Sequence, residues 1–163
     1  MEKSNSPFEG LIKKDKYQVF VFANPAPIPI SFARHPWFVL NKKGIISRWE
    51  VLHFKNEVDK DLKHVHLNRR APFLGFDIIY PIKKYLWKPK LLGYLEGDEG
   101  SFAEKAVELI ENSRKNYPYY DRYSFFGPNS NTYLQWVLNK FPEFLIKLSW
   151  HFIGKDFKIK NLT

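Results

Sequence analysis

The chain of 163 residues contains no cysteine. That excludes disulfides, thiolate metal sites and a cysteine nucleophile, and it leaves the redox compartment open. There is no apolar run near the ~20 residues that a membrane helix needs. Met1 to Gly10 is polar and lacks the hydrophobic centre of a secretory signal, so a cytoplasmic location is the default expectation. Internal repeats, low-complexity tracts and long blocks of like charge are also missing. Acidic residues are scarce, with 17 Asp and Glu against 26 Lys and Arg, a net charge of +9. That balance favours anionic partners, whether small or polymeric: phospholipid headgroups, cell-wall material or nucleic acid. What the chain has in quantity is aromatic surface: 15 Phe, 9 Tyr and 5 Trp, or 18% of residues. Large rings bury much area each, so a compact fold with a real core is expected despite 11 Pro.

Residues 1–16 read as a polar arm and 17–163 as a single domain. Tyr17 to Ala23 is β-branched and aromatic, a buried strand. Asn24 to Pro29 reads as an extended, polyproline-like connection, because prolines cannot donate to a ladder. Ser31 to Leu40 and Ile45 to Phe54 flank Asn41-Lys42-Lys43-Gly44, a hairpin signal. Pro36 in the first arm argues for an edge position or a bulge. His64 to Asn68 is a further short strand. Residues 69–90 form a basic, irregular excursion, a candidate lid, followed by a strand over Leu91 to Glu96. Ser101 to Asn116 is the clearest helix, with Ser101 and Glu104 as a capping box and Pro118 as its stop. Tyr123 to Phe126 reads as a short strand, Thr132 to Phe141 as a second helix, and residues 143–163 as a mixed tail. Strands, helix, strand, helix indicate an α+β fold in which helices flank a small curved antiparallel sheet.

The sharpest candidate site is Gly127-Pro128-Asn129-Ser130-Asn131-Thr132-Tyr133. It puts Ser130 at a helix start, where free N–H groups stabilise developing negative charge. The same residues are equally good helix caps. If the hairpin closes with paired positions summing to 85, Glu50 faces His35, whereas a slip of one residue puts Val51 there. This gives a candidate catalytic set: Ser130 as nucleophile, His35 as base and Glu50 as orienting acid. Asn129, Asn131 and Thr132 would line an oxyanion hole or cleft. The capping alternative leaves Glu50 to pair with Arg34 or Arg48.

His53, His64 and His66 could supply metal ligands, but no acidic cluster or His-Glu-x-x-His helix accompanies them, so no metal is expected. Basic and aromatic residues interleave in Lys83-Lys84-Tyr85-Leu86-Trp87-Lys88 and follow Asn68 as Arg69-Arg70. The basic side chains Arg69, Arg70, Lys83 and Lys84 are therefore candidates for anion binding. No nucleic-acid module signature is present, which argues against that partner; a membrane-surface role for Tyr85 and Trp87 is the variant reading. Gly154-Lys155-Asp156 lacks the upstream glycine of a phosphate loop and reads as a turn, and no cofactor is expected.

Taken in order, His35-Pro36-Trp37-Phe38-Val39, Trp49-Glu50-Val51, Asn68-Arg69-Arg70-Ala71-Pro72, Tyr117-Pro118-Tyr119, Gly127 to Tyr133 and Ile153-Gly154-Lys155-Asp156 resemble an uncharacterised bacterial family, a domain of unknown function. The resemblance covers about residues 30–157 and implies no particular activity. More distantly, an early histidine followed by a polar partner and a late Asn-Ser at a helix start is similar to circularly permuted papain-like proteins of the lecithin:retinol acyltransferase type. Those place a cysteine where this chain has Ser130. That likeness implies a permuted papain-like topology and a serine-dependent hydrolase or acyltransferase acting on amide or ester bonds. The alternative is a non-catalytic module of the same fold that binds an anionic ligand.

Overall fold

The computed structural model of the protein describes residues 6–27, 29–53, 64–75 and 88–159. It is an α+β fold built on one open, curved, five-stranded antiparallel sheet. The strands are β1 (Tyr17–Pro25), β2 (Arg34–Lys42), β3 (Ile45–Val51), β4 (Val65–Leu67) and β5 (Lys90–Gly97), in the spatial order β4-β3-β2-β1-β5. The helices are α1 (Phe102–Glu111), the single turn α2 (Ser113–Asn116) and α3 (Ser130–Lys140).

Because β side chains alternate, the sheet has two apolar faces. Val19, Val21, Phe38, Leu40, Trp49, Val51 and Val65 pack with α1 and α3 into the larger core. Phe20, Phe22, Trp37, Val39 and Phe73 form a smaller core on the other face. Phe8 closes the second core edge-on to Phe22, at 4.9 Å between ring centroids. Residues 6–16 of the polar arm are therefore docked on the sheet, and Lys13 and Lys16 pair with Glu96 and Asp98.

The β2–β3 turn is Lys43-Gly44, with both residues at positive φ (49° and 93°). This is the two-residue hairpin geometry whose twist matches the strands. The Asn41 Oδ1 accepts from the Gly44 N–H at 2.7 Å. Paired positions sum to 87, as in Phe38 with Trp49 and Lys42 with Ile45, so the register lies two residues from the sequence expectation.

Other expectations change as well. β1 continues through Asn24 and Pro25, which pair with His35 and Arg34, and the residues that follow turn back through Ala26 N–H to Ala33 O rather than extending. Pro36 lies in an interior strand, not at an edge, and is tolerated where pairing between β2 and β3, which begins at Phe38, has already ended. The helix after Ser101 breaks at Asn112, whose side chain bonds back to Glu108 O and ends α1. Ser101 caps α1 as expected, but the Glu104 carboxylate reaches the Gly100 N–H instead of closing the box on Ser101. Tyr123 to Phe126 is not a strand: Gly127 N–H bonds Ser124 O and Ser124 N–H bonds Pro128 O, a tight loop across the cis Gly127–Pro128 peptide.

Candidate functional site

Helix α3 begins one residue after its cap. Asn129, not Ser130, is the N-cap: its Oδ1 accepts from the N–H groups of Asn131 and Thr132, and Thr132 Oγ1 accepts from the Asn129 N–H. The same asparagine donates through Nδ2 to Phe125 O and Ile153 O. The Asn131 side chain also donates to Ile153 O, and the Thr132 hydroxyl donates to Gly154 O. A Cβ on Gly154, at φ +92°, would come within 2.5 Å of the Asn129 amide, so only glycine fits there. The residues expected to line an oxyanion hole are thus occupied in holding the tail to the helix start. Ser130 is buried, and among the described residues its hydroxyl has no hydrogen-bond partner.

His35 and Glu50 do come together. The His35 Nε2 lies 3.0 Å from Glu50 Oε2, and Arg48 Nη2 reaches the same oxygen at 2.9 Å. All three side chains are buried. The register difference of two residues makes the contact diagonal and leaves both on one face, because strand side chains repeat every second residue. Burial pushes His35 below the ordinary imidazole range, more than Glu50 raises it. Facing the Glu50 carboxylate, which can only accept, Nε2 carries the hydrogen and donates it. Burial alone would raise the Glu50 carboxyl, but the hydrogen bonds and charges of His35 and Arg48 outweigh it and hold the pKa at about 2. Arg48 Nη1 continues to Ala71 O and Leu74 O, its guanidinium lies 4.3 Å over the Trp37 ring, and Trp37 Nε1 donates to Pro72 O. The start of the basic excursion, residues 69–74, is clamped onto the smaller core by this buried ion pair.

The serine is not part of that cluster. His35 stacks on Trp37, of the smaller core, at 6.4 Å, whereas α3 packs its Tyr133 edge-on to Phe38, of the larger core. Ser130 and His35 are thus carried by elements on opposite faces of the sheet and share no hydrogen bond. On β2 the helix-facing parity belongs to Arg34, Pro36 and Phe38, not to His35.

The remaining candidates separate too. His53 and His64 lie against Tyr123, while His66 stands opposite Glu50 in the β3–β4 register. Among the described residues no group of three or more His, Asp or Glu could hold a metal ion. Arg69 is exposed; Arg70 is half-buried and close enough to His35 and Arg48 for its charge to lower both pKa values. Lys83 and Lys84, with Tyr85 and Trp87, lie outside the described residues.

A second concavity was not anticipated. The end of β1 sits between the starts of β2 and β5, so Pro25 pairs with Arg34 on one side and Ala23 with Lys90 on the other. The tail crosses this end of the sheet, with Arg34 N–H bonded to His151 O at 2.9 Å. The result is a cavity of about 370 Å³ lined by Arg34, Lys88, Lys90, Ser149 and His151 over Asn24 and Phe152. Among the described residues no carboxylate lines it and none of its three cations is ion-paired. The Ser149 hydroxyl lies 3.3 Å from His151 Nδ1, but among the described residues no carboxylate orients that ring. The sequence holds one trace of this site, the alternation Lys88-Pro89-Lys90. The convergence with Arg34 and His151 is tertiary. A polar groove on the far side of α3, about 680 Å³ in volume, contains Lys140, Lys155 and Lys158, but there Lys155 is already paired with Asp156.

The model of one protein family, described as "Protein of unknown function (DUF3750)", matches residues 16–157. No curated protein and no solved structure matches the chain.

Proposed function

The chain belongs to the DUF3750 family, which attaches no activity to the fold, and on that footing we propose that the domain is an anion-binding module whose site is the cavity of Arg34, Lys88 and Lys90. One observation carries the reading: three cations converge on one concavity that, among the described residues, has no carboxylate to neutralise them. Like charges gathered at a low-dielectric wall raise the local potential and favour a phosphate-like or carboxylate ligand. Arg34 offers a planar fork suited to such an oxyanion, Lys88 and Lys90 offer point charges, and Ser149 adds a neutral donor. Calorimetric titration with inorganic phosphate tests it. Binding that weakens about tenfold or more in Lys90→Glu supports the reading; no detectable binding to the wild type removes it.

A serine-dependent hydrolase or acyltransferase on amide or ester bonds is the second reading. It is favoured by the 3.0 Å pairing of His35 with Glu50 and by the position of Ser130 in the first turn of α3. Its weakness is the sheet between them. Ser130→Ala with unchanged hydrolysis of a confirmed ester or amide substrate would end it.

A further inference from the structure

We propose that the anion this cavity takes is the headgroup of an acidic phospholipid, met at a membrane surface; the inference rests on the anion-binding reading above. The additional observation is Trp150. It is 70% exposed, whereas Trp37, Trp49 and Trp136 are 1–6% exposed. Its ring stacks at 3.8 Å on His151, which lines the cavity, so a large apolar ring stands in solvent at the rim of a cationic pocket. Phe32, 49% exposed, belongs to the loop that joins β1 to β2 at the same end, two residues before Arg34. A soluble anion needs the cations but has no use for the rings. A bilayer uses both, because tryptophan favours the headgroup region while basic side chains meet the phosphates below the ring plane. The net charge of +9 adds long-range attraction to an anionic leaflet. Among the described residues no helix is long and apolar enough to cross a membrane, so contact through this end would be peripheral.

The experiment pairs two probes. The full chain is sedimented with vesicles of phosphatidylcholine alone and of phosphatidylcholine mixed with phosphatidylglycerol, and it is titrated separately with inorganic phosphate. Wild type is expected on the mixed vesicles and not on the neutral ones. Lys90→Glu is expected to lose about tenfold or more towards both vesicles and phosphate. Trp150→Ala is expected to lose about five- to tenfold towards mixed vesicles while keeping its phosphate affinity within about twofold. Quenching of tryptophan fluorescence by brominated lipid should fall in Trp150→Phe, which keeps a ring at that position. If phosphate binds but mixed vesicles do not, or if Trp150→Ala binds vesicles as the wild type does, the membrane inference falls and the cavity reading stands. If neither probe binds, both fall.

Discussion

Glu50 is the residue on which the most depends. It is fully buried, it accepts from His35 and Arg48 through one oxygen, and its pKa of about 2 lies well below the ordinary 4.5. A carboxyl with a depressed native pKa stabilises the fold above its unfolded pKa, and that stabilisation is lost as pH falls from about 4.5 towards about 2. The shift corresponds to something on the order of 3 kcal/mol. His35 acts in the same direction from a higher starting point. Its native pKa is depressed by burial, so the unfolded chain takes up the proton first and stability declines as pH drops below about 6.5. Thermal midpoints measured from about pH 8 to about pH 3 should therefore fall in two stages; His35→Gln should flatten the upper stage and Glu50→Gln the lower. At neutral pH Glu50→Gln should cost about 3–5 kcal/mol, because it leaves Arg48 charged, buried and unanswered. The pairing of His35 with Glu50 was legible in the sequence for a specific reason. The hairpin register was misplaced by two residues, and an even slip keeps every side chain on its face. An odd slip would have put Val51 beside the imidazole.

At the scale of elements, the α3 start shows where sequence reading succeeds and where it stops. The box from Gly127 to Tyr133 announces a helix start, but which residue caps it is settled by the tail, whose carbonyls at Ile153 and Gly154 claim Asn129, Asn131 and Thr132. Asn129→Ala is expected to cost about 2 kcal/mol, since it removes an N-cap that also makes two tertiary bonds, while Ser130→Ala at the first helical position stays within about 0.5 kcal/mol. Urea unfolding of the two variants checks the difference. The strands were largely readable because β-branched and aromatic runs alternate clearly. The break at Asn112 and the loop at Tyr123 to Phe126 were not, because local side-chain-to-backbone bonds decide them. The face on which a helix will land cannot be read from either element alone, so a set that joins Ser130 to His35 in sequence is divided between opposite faces in the fold.

For the whole molecule, the excess of 26 basic over 17 acidic residues was visible at once, and its focus was not. Lysines 13, 16, 42 and 43 are taken up by Glu96, Asp98, Glu111 and Glu99. Among the described residues Arg34, Lys88 and Lys90, around the end of β1, form no ion pair. Exposed charges of this kind are screened over about 8–10 Å at physiological salt. Phosphate affinity should consequently drop several-fold between about 50 and about 300 mM salt, and salt-independent affinity would mean that a buried, pre-neutralised site is responsible instead.

The segment from Ser149 to Gly154 has a consequence for the order of synthesis. It supplies the carbonyls that hold the start of α3, a wall of the cationic cavity and the carbonyl that meets the first residue of β2. A growing chain can pair β1, β2 and β5 long before this stretch leaves the ribosome. Until it does, the Asn131 amide and the Thr132 hydroxyl lack the carbonyls of Ile153 and Gly154, and the pocket has no far side. The strands made earlier thus wait on this later segment, and the wall of the cavity is completed only after the sheet has formed.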